Sequence, residues 1–149
     1  LFGKLLGTKN DWVLTLIRIV AGGVMFPHGA GKLLGWFGGA GFSRTMEVLS
    51  HQGFPAPLVF LAICAEFFGA LGLVLGCLSR IAAFSIVADM AVAAFVVNIH
   101  FGFFANWQST KAGEGIEYHL LMMGMALAVM IWGGGAFSVD RALAASKQA

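Results

Sequence analysis

Residues 58–78 constrain this chain more than any other stretch. They form an apolar run of bilayer length in which the single charged residue is Glu66. Inside hydrocarbon every backbone N–H and C=O has to be satisfied within the protein, so a spanning segment is a helix or part of a closed barrel. The run is continuously apolar and does not alternate, which predicts a helix. Gly69, Gly72 and Gly76 lie along it, the last two in a GxxxG spacing that lets a neighbouring helix approach closely. A carboxylate in such a segment needs a partner or a purpose, and the rest of the chain supplies the candidates.

Three further apolar runs accompany it, and the predicted helices cover residues 12–26, 58–78, 81–101 and 116–132. Only Ser79 and Arg80 separate the second from the third, so these two are expected to be antiparallel neighbours. Asn10 or Asp11 is placed to cap the first helix, and Pro27 with the glycines behind it is expected to loosen its end. Between residues 33 and 57, Phe42, Met46 and Leu49 recur at helical spacing opposite Arg44, Glu47 and Ser50, predicting a short interfacial helix that stops at Gly53. Residues 102–115 read as a polar loop with aromatic anchors. Gly133, Gly134 and Gly135 end the fourth helix, and Ser138 caps a short polar tail helix. The predicted fold class is all-α, a four-transmembrane-helix bundle with a short interfacial helix between helices one and two, forming a single transmembrane domain over residues 1–149.

Composition agrees with this assignment. Hydrophobic residues make up 59% of the 149 residues, charged residues 11%, and the mean hydropathy is +0.87, values that exclude an ordinary soluble domain. Nine Lys and Arg against seven Asp and Glu are too few and too scattered for a nucleic-acid surface. They serve better as topology signals. Four spans put both termini on one side with Lys4, Lys9, Arg80, Arg141 and Lys147, against Lys32, Arg44 and Lys111 on the other, so both termini are expected in the cytoplasm. Trp12 and Trp132 fall at the inner interface, and Trp36, Trp107 and Tyr118 at the outer one. The first apolar segment carries no small-residue cleavage site before His28 and Lys32 and is expected to stay as a span. Cys64 and Cys77, thirteen residues apart on one helix, would be separated by about 20 Å and are expected to be free.

The buried charges suggest where chemistry could sit. Counted from the outer helix ends, Arg18 lies ten residues below His28, Glu66 eight below Leu58 and Asp89 eleven below His100. Each is then roughly 12 to 17 Å deep. An unpaired charge at the centre of a span costs about 2.5–3.5 kcal/mol on insertion scales, so Arg18 is expected to pair with Glu66 or Asp89. The expected site is a polar column of Arg18, Glu66 and Asp89 at depth, opening toward His28, Lys32, His100 and Glu117, with His119 pointing the other way. Its structural alternative is ionic glue between helices.

No recognised motif assigns an enzyme. Residues 29–32, Gly-Ala-Gly-Lys, lack both the leading glycine and the following Ser or Thr of a phosphate loop, and GxSxG, GxGxxG and HExxH are absent. No CxxC or HxxxH spacing supports a metal, and Met122, Met123, Met125 and Met130 are expected to pack rather than bind copper. His51, on the interfacial helix, is expected to be solvated.

Together these residues resemble the DoxX family of small four-helix membrane proteins. The matching pieces, in order, are Arg18, His28-Gly29 with Lys32-Leu33, Gly53-Phe54-Pro55, Glu66 with Gly69, Gly76 with Arg80, and Met90. Then follow His100 with Gly102-Phe103-Phe104, Gly115-Ile116-Glu117-Tyr118, and the closing Ser138-Val139-Asp140-Arg141. Asp89 lies outside that pattern and rests on the depth argument alone. The resemblance implies four transmembrane helices and an association with redox chemistry; relatives include a subunit of a thiosulfate:quinone oxidoreductase and a membrane component of an assembly handling oxidative and thiol stress.

The expected function is a multi-pass subunit of a redox-linked assembly in the bacterial inner membrane, with membrane lipid and other membrane subunits as partners. Its column would face a quinone or relay protons. The chain carries no haem, flavin or iron-sulfur motif, so electrons would come from a partner. The alternative is a non-catalytic structural or assembly subunit; a small transporter is a third option, weakened by the lack of an inverted repeat.

Overall fold

A computed structural model describes residues 6–146 and is all-helical over them. Six α-helices follow one another: α1 Trp12–Leu34, α2 Gly41–His51, α3 Ala56–Leu75, α4 Ser79–Val92, α5 Glu117–Trp132 and α6 Val139–Ser146. Helix α4 continues through a π-helical segment, Ala93–Asn98, and a 3-10 turn, Ile99–Phe101, into one rod of 23 residues. By length and composition α1, α3 and the extended α4 are apolar and long enough to cross a membrane, whereas α5 is a shorter apolar helix.

The first helix runs eight residues beyond the expected end at 26, and Pro27 lies inside it. Proline removes one helical hydrogen bond, but neighbouring helices make this tolerable in membrane spans. Here the turn after Pro27 is held by packing: Gly29, Ala30 and Gly31 are all buried. A Cβ on Gly29 would lie 2.5 Å from the backbone nitrogen of Phe67, so only glycine allows α1 to come this close to α3. The helix ends instead at Gly35, whose φ of 75° is left-handed. At its start, Asp11 accepts a hydrogen bond from the Val13 N–H at 2.8 Å.

Helix α3 begins behind Pro55 and stops at Leu75, three residues short of the expected end. Gly76 adopts φ 68°, and the Cys77 N–H bonds the Gly72 carbonyl at 2.9 Å, a Schellman stop that releases the chain into α4. The short helix expected between the first two spans forms as α2, and the chain turns at Gly53. Ser138 caps α6, its Oγ accepting from the Arg141 N–H at 3.2 Å. Cys64 and Cys77 are free.

Helix α3 packs on α1 and α4, and α5 packs on α4 and α1, which closes a ring of four. Ala21, Met25, Leu73, Ile86, Met122 and Val129 are buried inside it. The outside is equally apolar: Leu16, Leu61, Phe84, Leu121 and Ile131 are exposed. A helix that is hydrophobic all round, with large apolar groups on its outer face, suits lipid rather than water. Adjacent helices are antiparallel, so the ring has two ends. The basal end gathers the start of α1, the end of α3, the start of α4 and the end of α5; the distal end holds Lys32, α2 and the loop before α5.

Candidate functional site

The expected column divides into two clusters. Glu66 of α3 is buried and bonds the ammonium of Lys32 from the last turns of α1. Asp89 of α4 sets its carboxyl beside that of Glu66. These are two acceptors facing each other, so a bond between them needs a proton. Glu66 Oε2 and Asp89 Oδ2 are both buried without a hydrogen-bond partner, and so is the hydroxyl of Tyr118 on α5. Lys32 brings one positive charge to two carboxyl groups. In a medium of low dielectric that balance leaves room for one proton on the pair.

Two histidines and an amide extend the cluster. His28, one turn before Lys32, is exposed, with its ring centroid 5.9 Å from that of Tyr118. His119 is buried on α5, with Nε2 3.2 Å from the amide nitrogen of Asn98 and Nδ1 unpartnered. That amide also donates to the Ala93 carbonyl at 2.9 Å, a bond lying within the π-helical segment. Such segments leave irregular backbone groups to be satisfied and tend to occur beside functional positions. Four helices and the π-segment therefore converge on one polar region in an apolar bundle.

Arg18 is not part of it, contrary to the expected pairing with Glu66 or Asp89. Its guanidinium lies at the basal end, with Nε donating to the Gly134 carbonyl at 2.6 Å and one terminal nitrogen to the Leu73 and Val74 carbonyls at 2.7 and 2.5 Å. The other terminal nitrogen bonds the Phe137 carbonyl. The depth count placed it wrongly because α1 runs to Leu34; eight additional residues shift its end by about 12 Å. Gly29, not Arg18, is level with Glu66. Arg18 instead meets the free carbonyls that end α3, where a cation is favoured.

The other expected members also differ in role. Glu117 accepts from the Ala105 N–H at 3.1 Å while its own N–H bonds the Phe103 carbonyl at 2.9 Å, so it fastens the loop before α5. His100 is exposed in the 3-10 turn that ends the α4 rod. His119 points inward where the sequence suggested outward, on a buried stripe with Met122, Ala126 and Val129. That three- and four-residue spacing was its available signal. Tyr118 stood out only as an outer aromatic and as the end of the Gly115-Ile116-Glu117-Tyr118 match, and Asn98 carried no signal beyond its position in the chain. Among the described residues no three His, Cys, Asp or Glu side chains converge as metal ligands.

Comparison with known proteins gives the same family that the residue pattern suggests. The DoxX family model matches residues 13–99, more than half of the chain. A curated relative, the inner membrane protein YqjF of Escherichia coli strain K12, is 32% identical over 134 residues, covering 90% of this chain and 94% of its own. No solved structure matches. Both the Lys32–Glu66 pair and Asp89 lie inside the matched region. This membrane protein belongs to the DoxX family.

Proposed function

We propose that this chain is a multi-pass inner-membrane subunit of a redox-linked assembly, and that its Lys32–Glu66–Asp89 cluster exchanges protons with a hydrogen-bonding ligand such as a quinone headgroup. The observation that carries this reading is the carboxyl pair. Two acidic groups share one lysine and leave buried oxygens unpartnered, an arrangement that costs stability and is suited to taking up and releasing a proton. Tyr118 adds a hydroxyl that can donate or accept beside them, and His28 stands between that hydroxyl and the aqueous rim. The redox partner is suggested by the family resemblance, and the electron carrier belongs to another subunit.

In this reading α5 is the fourth span. Its 16 residues extend about 24 Å, short of a full hydrocarbon core, but it lies along α4 inside the ring. The basal end, with Arg80 and Arg141, faces the cytoplasm under the positive-inside rule.

The test is natively purified assembly carrying Glu66→Gln, which keeps shape and removes the carboxylate. Quinone reduction should fall by about 10²-fold or more. Unchanged quinone reduction, in protein that also retains no quinone on purification, would falsify the reading. The structural-subunit alternative draws its support from the basal end, whose charged groups are fully bonded within the chain. Gly72 and Gly76 do not help it, since both pack within the chain, against Ala82 and Ser138.

A further inference from the structure

Next to the carboxyl pair, a cavity of about 410 Å³ opens between the distal end of α1, the turn at residues 36–39 and α2. Its lining includes three basic side chains, His28, Lys32 and Arg44, and no carboxylate. Trp36 and Phe37 form an exposed aromatic rim. Lys32 is the wall common to the cavity and the buried cluster: its side chain is 40% exposed, whereas that of Glu66, its partner, is only 5% exposed. Arg44 is held by a surface bond to Glu47 one turn away, a weak, solvent-screened contact that a better anion displaces.

We infer that this cavity binds the phosphate of an anionic phospholipid headgroup through Lys32 and Arg44, and that its occupancy is linked to proton uptake by Glu66 and Asp89. A lipid headgroup fits because the cavity lies where the apolar length of α1 gives way to the amphipathic helix α2, and because Trp and other aromatic side chains favour the headgroup level. The link runs through Lys32. When its ammonium turns toward a phosphate, the carboxyl pair loses the cation bonded to it, and one proton from the distal aqueous side replaces it. One negative charge and one proton enter together, so the lipid binds more tightly as pH falls.

The titratable and charged groups facing this region are His28 and Lys32 on α1, Arg44 and Glu47 on α2, Glu66 on α3, Asp89 on α4, and Tyr118 and His119 on α5, with Glu114 in the preceding loop. A His28→Asn background separates the contribution of the imidazole from that of the carboxyl pair. The inference rests on the carboxyl pair being a proton-exchanging site, and the experiment keeps the two apart.

The full chain, in micelles containing phosphatidylglycerol or phosphatidylcholine, is examined by native mass spectrometry for retained lipid across the mildly acid to mildly alkaline range. Phosphatidylglycerol is a phosphodiester of fixed charge, so any pH dependence belongs to the protein. The expected result is about tenfold preference for phosphatidylglycerol, lost in Lys32→Met and reduced severalfold in Arg44→Gln, an exposed change that leaves the fold intact. Affinity should rise with falling pH in the His28→Asn background and become flat when Glu66→Gln and Asp89→Asn are added together. Equal retention of the two lipids, or a preference untouched by both cation variants, overturns the lipid site. Displacement of phosphatidylglycerol by inorganic phosphate at comparable concentration overturns the lipid as occupant and assigns the cavity to a free oxyanion. A preference that survives but shows no pH dependence overturns the proton linkage while leaving the cavity's occupant in place.

Discussion

The two ends of the bundle both bury charge, and they treat it in opposite ways. At the basal end every buried charged group is saturated. Arg18 donates to four carbonyls, and Arg80 donates to Gly7 ahead of α1 and to Met130 and Ile131 at the end of α5. Asp140 accepts from the Leu78 and Ser79 N–H groups at 2.6 and 2.8 Å at the start of α4. Arginine is used for the C-terminal ends of helices and aspartate for an N-terminal end, as the helix dipole favours. Gly76 makes room for this arrangement, since a Cβ there would come within 2.9 Å of the Arg18 guanidinium carbon. At the distal end Lys32, Glu66, Asp89 and Tyr118 leave three buried oxygens unbonded. Burying charge is thus not itself a mark of function; what separates the two ends is whether the charged groups are already satisfied, the basal end leaving a neutral hydroxyl, Ser79 Oγ, unbonded.

The sharpest way to break this comparison is at Arg18. Arg18→Met removes a fork that holds α1, the end of α3 and the loop of residues 133–138 together, and it strands several carbonyls in an apolar setting. The expected loss is on the order of 3–5 kcal/mol, read as a large drop in the unfolding midpoint in micelles. Arg18→Lys should recover only part of that loss, because a single ammonium cannot reach carbonyls on both elements. A midpoint unchanged by Arg18→Met would remove the distinction between the two ends.

Asp140 tests the same end at smaller scale. Its carboxylate caps two N–H groups, and its field also acts on Arg18. Asp140→Asn keeps the size and one acceptor but loses the charge, for an expected cost of about 1–2 kcal/mol. Combined with Arg18→Met, the two losses should be less than additive, because both variants loosen the same junction. Strict additivity would mean that the basal contacts act independently.

How much of this contrast could be read from the sequence depends on the kind of information each part needs. The apolar runs located α3 and the α4 rod to within a few residues, because bilayer thickness fixes their length. Ends set by one residue were harder: Pro27 looked like a stop but is inside a helix, and Gly76 rather than Ser79 and Arg80 ends α3. Those eight residues at the end of α1 carried Arg18 into the wrong layer. The pairing of Lys32 with Glu66 was missed for the same reason, since it depends on the register between α1 and α3 set by the contact of Gly29 with Phe67. Register between two helices is a property of their packed surfaces, and neither sequence periodicity nor depth counting contains it. The inward position of His119 was encoded in its spacing to Met122, Ala126 and Val129, but an apolar outer face conceals such a stripe.

The smallest stability effect is expected where the functional effect is largest. Asp89→Asn replaces a carboxyl whose Oδ2 is unpartnered with an amide of nearly the same shape, and leaves Lys32 and Glu66 as a balanced pair of charges. The proton-mediated contact with Glu66 is replaced by the amide N–H₂ donating to the Glu66 carboxylate, so contact with α3 is kept. The unfolding midpoint should therefore stay within about 1 kcal/mol of the parent or rise slightly, the reverse of the basal variants. Infrared difference spectra between acid and alkaline conditions should at the same time lose a protonated-carboxyl band in Asp89→Asn, because the pair no longer shares its proton. If Asp89→Asn destabilised the bundle as strongly as Arg18→Met and left the infrared bands unchanged, the distal carboxyls would be structural in the same sense as the basal arginines. A stable bundle that lacks the band would instead identify the unsatisfied oxygens as a cost the fold carries for proton exchange.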